Sequence, residues 1–266
     1  MNIKRAVIKV GTSCLTYSTG KLNLKHIEKL VRVISDLKNR GTEIVLVSSG
    51  AIGAGVGRLK LSEKPQDTRK KQALAAIGQV SLVSIYDKFF SEYGHLSAQV
   101  LLTKNVLEDE TRYTNAVNSF NTMFEYEVVP IVNENDVIST YEIEFGDNDT
   151  LSAYVAKLVE AELLILLSDI DGFYDSNPVE NKNAKLIPLI EEINEDIISR
   201  AGGSGTRRGT GGMKTKLNAA EIAGDAGIDM IITNGANVEN LYDIFDGKPT
   251  GTLFKAKSKN KTKNRR

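Results

Sequence analysis

The sequence predicts an α/β fold with helices on both faces of a mainly parallel sheet, and three observations lead there. Short β-branched, apolar runs recur along the chain, stretches with apolar residues three and four apart separate them, and no Pro- or Ser-rich linker divides the whole. At 266 residues and 41% apolar content the chain can bury a substantial core. Residues 1–254 are therefore expected to form one domain. Residues 255–266 carry seven cations with no acid and no aromatic ring, and are expected to be a disordered basic tail.

The strand candidates are, in order, 6–10 (AVIKV), 43–48 (EIVLVS), 99–103 (QVLLT), 128–132 (VVPIV), 163–167 (LLILL) and 229–233 (DMIIT). Between the first two, Ile27, Leu30, Val31, Ile34 and Leu37 draw one apolar stripe along a helix. Strands alternating with helices of this length imply crossovers that place neighbouring strands in parallel. Pro130 has no N–H for a ladder, so the fourth strand is expected to start at or after it. Three segments are expected to be mobile: the polar, charge-rich 58–72, the mostly glycine 202–212 and the basic end.

Charge and composition narrow the function. The 34 basic and 34 acidic residues cancel, which removes the general electrostatic reason to expect nucleic acid or an anionic membrane as partner. A single cysteine, Cys14, excludes an intrachain disulfide and a cysteine zinc site. With no apolar stretch that reads as a membrane span, the expected location is cytoplasmic.

In an open α/β sheet, ligands gather beyond the carboxyl ends of the strands. The residues found there are Lys9 and Gly11 after the first run, SSGAIGAGVG after the second, NENDVIS after the fourth and SDIDG after the fifth. The glycines at 50, 53, 55 and 57 do not make a dinucleotide fingerprint, because the third glycine of that pattern would fall on Arg58. They fit either a tight strand-to-helix turn or backbone amides turned to an anion. No Walker loop exists, since neither Gly-Lys pair is followed by Ser or Thr. In GTGGMKTKLNAA a helix is expected near Met213, with Lys214 and Lys216 in its first turn, where cations are disfavoured unless an anion is present. Asp147, Asn148 and Asp149 before one helix, and Asp169 and Asp171 after the next strand, fit either local capping or a ligand site. Phosphoryl transfer needs cations around the moving group and something to hold them, which Lys9, Lys216 and Asp149 could provide. The two histidines, His26 and His95, carry no catalytic signature, and a carboxylate acceptor, ionised at neutral pH, would need no general base.

The motifs IKVGTS, VSSGAIGAG, PIVNENDVIS, FGDNDTLSA, LLSDIDGFY and GTGGMKTKLNAA, in that order, resemble the glutamate 5-kinase branch of the amino acid kinase family. The resemblance runs to GTLF at 251–254 and implies a three-layer α/β/α sandwich on a roughly eight-stranded sheet. It also implies phosphorylation of the side-chain carboxylate of L-glutamate by ATP with Mg2+, the first step of proline biosynthesis. By resemblance Lys9 and Lys216 stabilise the transferring group and Asp149 orients both. Ser49, Asp136 and Asn148 hold glutamate, with Asn133 and Asp147 in support. Lys9, Gly11, Ser168, Asp169, Thr210, Gly211, Gly212, Met213, Lys214, Thr215 and Lys216 line the nucleotide, and no dedicated metal-ligand set is expected. Ser168 stands where Thr is frequent, and Lys214 where a small polar residue is usual. Further expectations are a homo-oligomer, dimer or tetramer, feedback inhibition by proline through residues 133–149, and association with glutamyl-phosphate reductase. Many relatives continue into an RNA-binding PUA domain, and this chain is expected to be a short form. The alternatives are a sister kinase acting on carbamate, aspartate, N-acetylglutamate or a nucleoside monophosphate, or a nonenzymatic nucleotide- or RNA-binding regulator.

Overall fold

A computed structural model of the chain describes residues 3–17, 19–103, 105–138, 148–201 and 212–257. Its centre is an eight-stranded sheet in the order β3-β4-β2-β1-β5-β7-β8-β6. The strands are β1 (Arg5–Val10), β2 (Glu43–Ser48), β3 (Ser97–Leu102), β4 (Val129–Glu134), β5 (Leu163–Ser168), β6 (Leu189–Ile190), β7 (Asp229–Asn234) and β8 (Thr252–Phe254). Every pairing is parallel except β7 with β8. The helices are α1 (Thr12–Leu15), α2 (Leu24–Asn39), α3 (Ala51–Arg58), α4 (Thr68–Glu92), α5 (Asn105–Glu108), α6 (Glu110–Glu125), α7 (Asn148–Leu158), α8 (Glu195–Arg200), α9 (Met213–Asp225) and α10 (Asn240–Phe245).

Strand side chains alternate between two cores, and this sets the three layers. Ala6, Ile8 and Val10 of β1 pack with Ile27, Leu30 and Ile34 of α2 and Leu82 and Phe90 of α4. Val7, with Val45, Val47, Leu164 and Leu166, packs on the other face against Phe120 of α6, Leu151 and Val155 of α7, and Leu217 and Ala220 of α9. By the same alternation Lys9 projects on the Val7 face, toward α7 and α9. Asn133 projects on the opposite face with Ile131, toward α4.

Three local features differ from the sequence expectations. The fourth strand starts at Val129, so Pro130 lies inside it. Val129 N–H donates to Leu96 O of the β3 side, which turns the next backbone nitrogen toward β2, where pairing begins only at Leu46 with Ile131. The missing N–H of Pro130 therefore costs no ladder bond. The polar segment 58–72 is a loop only to Asp67, whose side chain accepts from Lys70 N at 3.0 Å and caps α4. At 25 residues α4 is also long and apolar enough to cross a membrane by those two measures. Here its apolar face packs on α3, α2 and β3 as one outer layer of the sandwich.

Gly78 of α4 and Gly55 of α3 bring those two helices unusually close. A Cβ on Gly78 would sit 1.8 Å from Ala51 O, and one on Gly55 would sit 2.1 Å from Leu74 O. Only hydrogen fits at both positions. The residues that open the expected tail, 255–257, are held: Lys255 N donates to Ile190 O, and Lys255 Nζ and Lys257 Nζ pair with Asp229 and Asp225 at 2.8 and 2.6 Å. The rest of that tail lies outside the described residues.

Candidate active site

Three elements converge on one carboxylate beyond the carboxyl ends of the central strands. Asp149 stands in the first turn of α7, where the helix dipole favours a negative charge, and is fully buried. Its Oδ1 lies 2.5 Å from Lys9 Nζ on β1, and its Oδ2 lies 2.9 Å from Lys216 Nζ in α9. Both lysines are buried too, at 5% and 6% exposure. Burial alone would push the Asp149 carboxyl up, but the two ammonium groups outweigh it and hold the group below the ordinary carboxylate range. One carboxylate thus gathers two ammonium groups in a nearly dry place. Such a site suits a ligand whose charge is strongly negative.

The first turn of α9 adds donors to the same point. Gly212, its N-cap, makes no side-chain cap bond, and the turn holds no acid. Thr215 Oγ1 donates to Gly212 O at 2.8 Å and lies 3.3 Å from Asp149 Oδ2. The N–H groups that open this thirteen-residue helix, beside Lys216, fit phosphate oxygens. The cation mismatch read from the sequence thus resolves into two cases: Lys216 turns inward to Asp149, whereas Lys214 is exposed. Gly11 follows β1, and a Cβ there would come within 3.9 Å of Lys9 Nζ. Ser168 ends β5, nine-tenths or more buried, with its hydroxyl 3.2 Å from Asp169 Oδ1, and Gly235 N donates to Ser168 O.

A second group of residues occupies the other half of this edge. Asn148 precedes Asp149, and its Nδ2 lies 2.9 Å from Ser49 Oγ, 2.9 Å from Asn133 Oδ1 and 3.3 Å from Ser48 O. Asn133 Nδ2 donates in turn to Gln79 Oε1 at 2.9 Å. Ser48 Oγ lies 3.0 Å from the Tyr86 hydroxyl. Asp136 follows β4 at the rim of a cleft of about 220 Å3 that Gln79, Ala51, Ala75 and Gln99 also line. Burial raises the Asp136 carboxyl above its ordinary value, and the Lys64 charge opposes that rise.

The structure therefore brings Lys9, Asp149, Lys216 and Thr215 together, and beside them Asn148, Asn133 and Ser49. Asp147, Thr210 and Gly211 lie outside the described residues, as does most of the loop expected to sense proline. Gln79 and Tyr86 were not anticipated, since each sits inside α4 with no local motif around it; Ser48 lies within the SSGAIGAGVG stretch but was not singled out.

A doubly covered parallel sheet whose carboxyl edge holds two lysines on one buried aspartate defines a phosphotransferase of the α/β/α type. Residues 4–234 match the amino acid kinase family, and the chain belongs to that family. It is 58% identical over 258 residues to glutamate 5-kinase from Clostridium perfringens (strain 13 / Type A), covering 96% of each chain. It is 56% identical over 255 residues to glutamate 5-kinase from Clostridium tetani (strain Massachusetts / E88), again covering 96% of each. Among solved structures it is similar to carbamate kinase from Giardia lamblia bound to AMP-PNP, with a TM-score of 0.67 at 18% identity over 95% of this chain and 98% of that one. The shared fold accounts for that last match.

Proposed function

We propose that the chain is an ATP-dependent kinase acting on the side-chain carboxylate of L-glutamate, giving ADP and L-glutamyl 5-phosphate. The observation that carries this reading is the Lys9, Asp149 and Lys216 cluster, which fits a cradle for a phosphoryl group in its transition state. Glutamate as the acceptor is supported by identities above 50% to glutamate 5-kinases over nearly the full chain.

In this reading ATP phosphates meet the N-terminus of α9, Gly11 and Lys9, while Ser168 and Asp169 flank the nucleotide. Glutamate lies toward Ser49, Asn148 and Asp136. Its ammonium pairs with the Asp136 carboxylate and its side-chain carboxylate faces the two lysines, which neutralise charge on the moving group as it passes between oxygens. Asp149 keeps both ammonium groups aimed at one point, so little reorganisation is needed during transfer. Mg2+ would be held mainly by phosphate oxygens and water, since among the described residues no group of three His, Cys, Asp or Glu side chains forms a cage. When bound, it supplies further charge neutralisation on the phosphates.

Cytoplasmic location, a homo-oligomeric state, inhibition by proline and handover of the labile acyl phosphate to a reductase are parts of the same proposal. The test is ADP release with Mg2+ and ATP, comparing L-glutamate, L-aspartate, N-acetyl-L-glutamate and no acceptor, with hydroxylamine present to trap an acyl phosphate. Hydroxamate formed from L-glutamate alone is the expected result. Equal turnover of N-acetyl-L-glutamate would overturn the ammonium contact at Asp136, and hydroxamate from none of them would overturn the carboxylate kinase.

A further inference from the structure

Gln79 is a polar residue buried to 8% exposure in the middle of α4, on the face of the sheet opposite α7 and α9. It is the start of a chain of amides. Its Oε1 accepts from Asn133 Nδ2, Asn133 Oδ1 accepts from Asn148 Nδ2, and Asn148 reaches Ser49 Oγ, each at 2.9 Å. The chain passes around the carboxyl edge of the sheet, from the α4 layer through β4 to the first residue of α7. That residue is covalently joined to Asp149, which holds the two lysines.

We infer that Gln79 is a positioning residue for the carboxylate acceptor: it fixes the orientation of the Asn133 and Asn148 amides and presents its own Nε2 to the acceptor cleft. Three observations support this. An asparagine amide has two orientations that swap donor and acceptor; Ser48 O, which can only accept, sets Asn148 Nδ2 as a donor, and Gln79 Oε1 holds Asn133 in the matching orientation, with its Oδ1 facing Asn148. Among the described residues nothing accepts from Gln79 Nε2, while the side chain lines the same cleft as Asp136. Finally, Gln79 follows Gly78, whose close contact with Ala51 O sets the depth of α4 against α3. The side chain is therefore held at a fixed height above β4, which is the condition for one amide to position another.

The inference deepens the proposed glutamate site and rests on that reading. Its test uses the full chain with Gln79→Met, close in size but without either polar atom, and Gln79→Glu, which keeps an acceptor for Asn133. Steady-state constants for glutamate and ATP would be measured for each, with melting temperature and ATP binding. Gln79→Met is expected to raise the glutamate KM at least tenfold while ATP binding stays within twofold and the melting temperature shifts little. Gln79→Glu is expected to keep kcat within about threefold of the parent and to raise only the glutamate KM, since its charge faces an anionic substrate. An unchanged glutamate KM in Gln79→Met would overturn the role, as would parallel losses in ATP binding and melting temperature in both variants, which mark a merely structural residue. A parent chain that does not turn over glutamate would instead overturn the function on which the inference rests.

Discussion

Asp149 Oδ2 lies 2.9 Å from Lys216 Nζ, which ties the first turn of α7 to the first turn of α9 across the carboxyl edge of the sheet. Lys9 closes the same carboxylate from β1. Removing Asp149 would leave two cations buried side by side, whereas removing either lysine leaves one ion pair intact. The two kinds of variant should therefore fail differently.

Asp149→Asn is expected to destabilise the fold by roughly 3–5 kcal/mol, the usual cost of stripping a partner from buried charges. Turnover should fall by about a hundredfold or more, because the lysines lose their common aim. Urea unfolding and kcat at saturating substrate measure the two effects. ATP should raise the melting temperature of the variant more than that of the parent, since polyphosphate restores a counter-charge. The sign with pH follows from the lowered carboxyl: its stabilisation is present above about pH 4, the unfolded value, and is lost only as pH falls through the lower folded value. The parent should therefore outlast Asp149→Asn at neutral pH, with the difference closing in strong acid.

Lys9→Met and Lys216→Met are each expected to lower kcat by about a hundredfold to a thousandfold, with glutamate and ATP KM changing a few-fold at most. In the proposed mechanism their charge is used mainly when charge spreads over the moving phosphoryl group. Losses confined to KM would contradict that role.

Gly78→Ala sets two effects against each other. Alanine improves helix propensity by about 1 kcal/mol over glycine. Its Cβ, however, would stand 1.8 Å from Ala51 O, a backbone atom that cannot rotate away. The clash should win, with a net loss of about 1–3 kcal/mol from forced separation of α3 and α4. Because Gln79 moves with α4, the glutamate KM should rise as well. A variant with unchanged melting temperature and KM would show that the helices separate freely.

Most of the sheet was legible in the sequence because its central strands are long enough to show β-branched, apolar runs. β6 and β8 are two and three residues long, too short for any period, and their places come from pairing with each other and with β7. Pro130 misled by one residue: the rule against proline in a ladder concerns a backbone nitrogen that faces a paired strand, and this one faces β2 before pairing starts. Lys9, Asp149 and Lys216 were legible because each follows or opens a motif at a strand or helix end. Gln79 was not, since a single glutamine inside a helix carries no local signal; its contact with Asn133 exists only after two glycines let α4 settle onto α3.

Removing residues 258–266 is expected to leave kcat and both KM values within twofold of the parent. The preceding residues keep their ties to the body through Asp229 and Asp225, which the truncation does not touch. A large loss of cellular function with unchanged turnover would favour the binding-regulator reading of the basic tail, and a large loss of turnover would show that the tail serves the active site.

In the proposed site, the pH dependence of glutamate binding follows from Asp136. Burial raises its carboxyl, so its neutral form persists to a higher pH than the ordinary value of about 3.9. Only the ionised form would pair with the substrate ammonium in the proposed site. The glutamate KM should therefore rise as pH falls through the raised value, while kcat at saturation holds. Lys64 opposes the rise through its charge, so Lys64→Met should move the onset of this KM increase to higher pH, and Asp136→Asn should abolish the dependence at the cost of a high KM throughout. Initial rates across the acid limb for the three proteins would measure this, and an unmoved onset in Lys64→Met would show that the Lys64 charge does not act on Asp136.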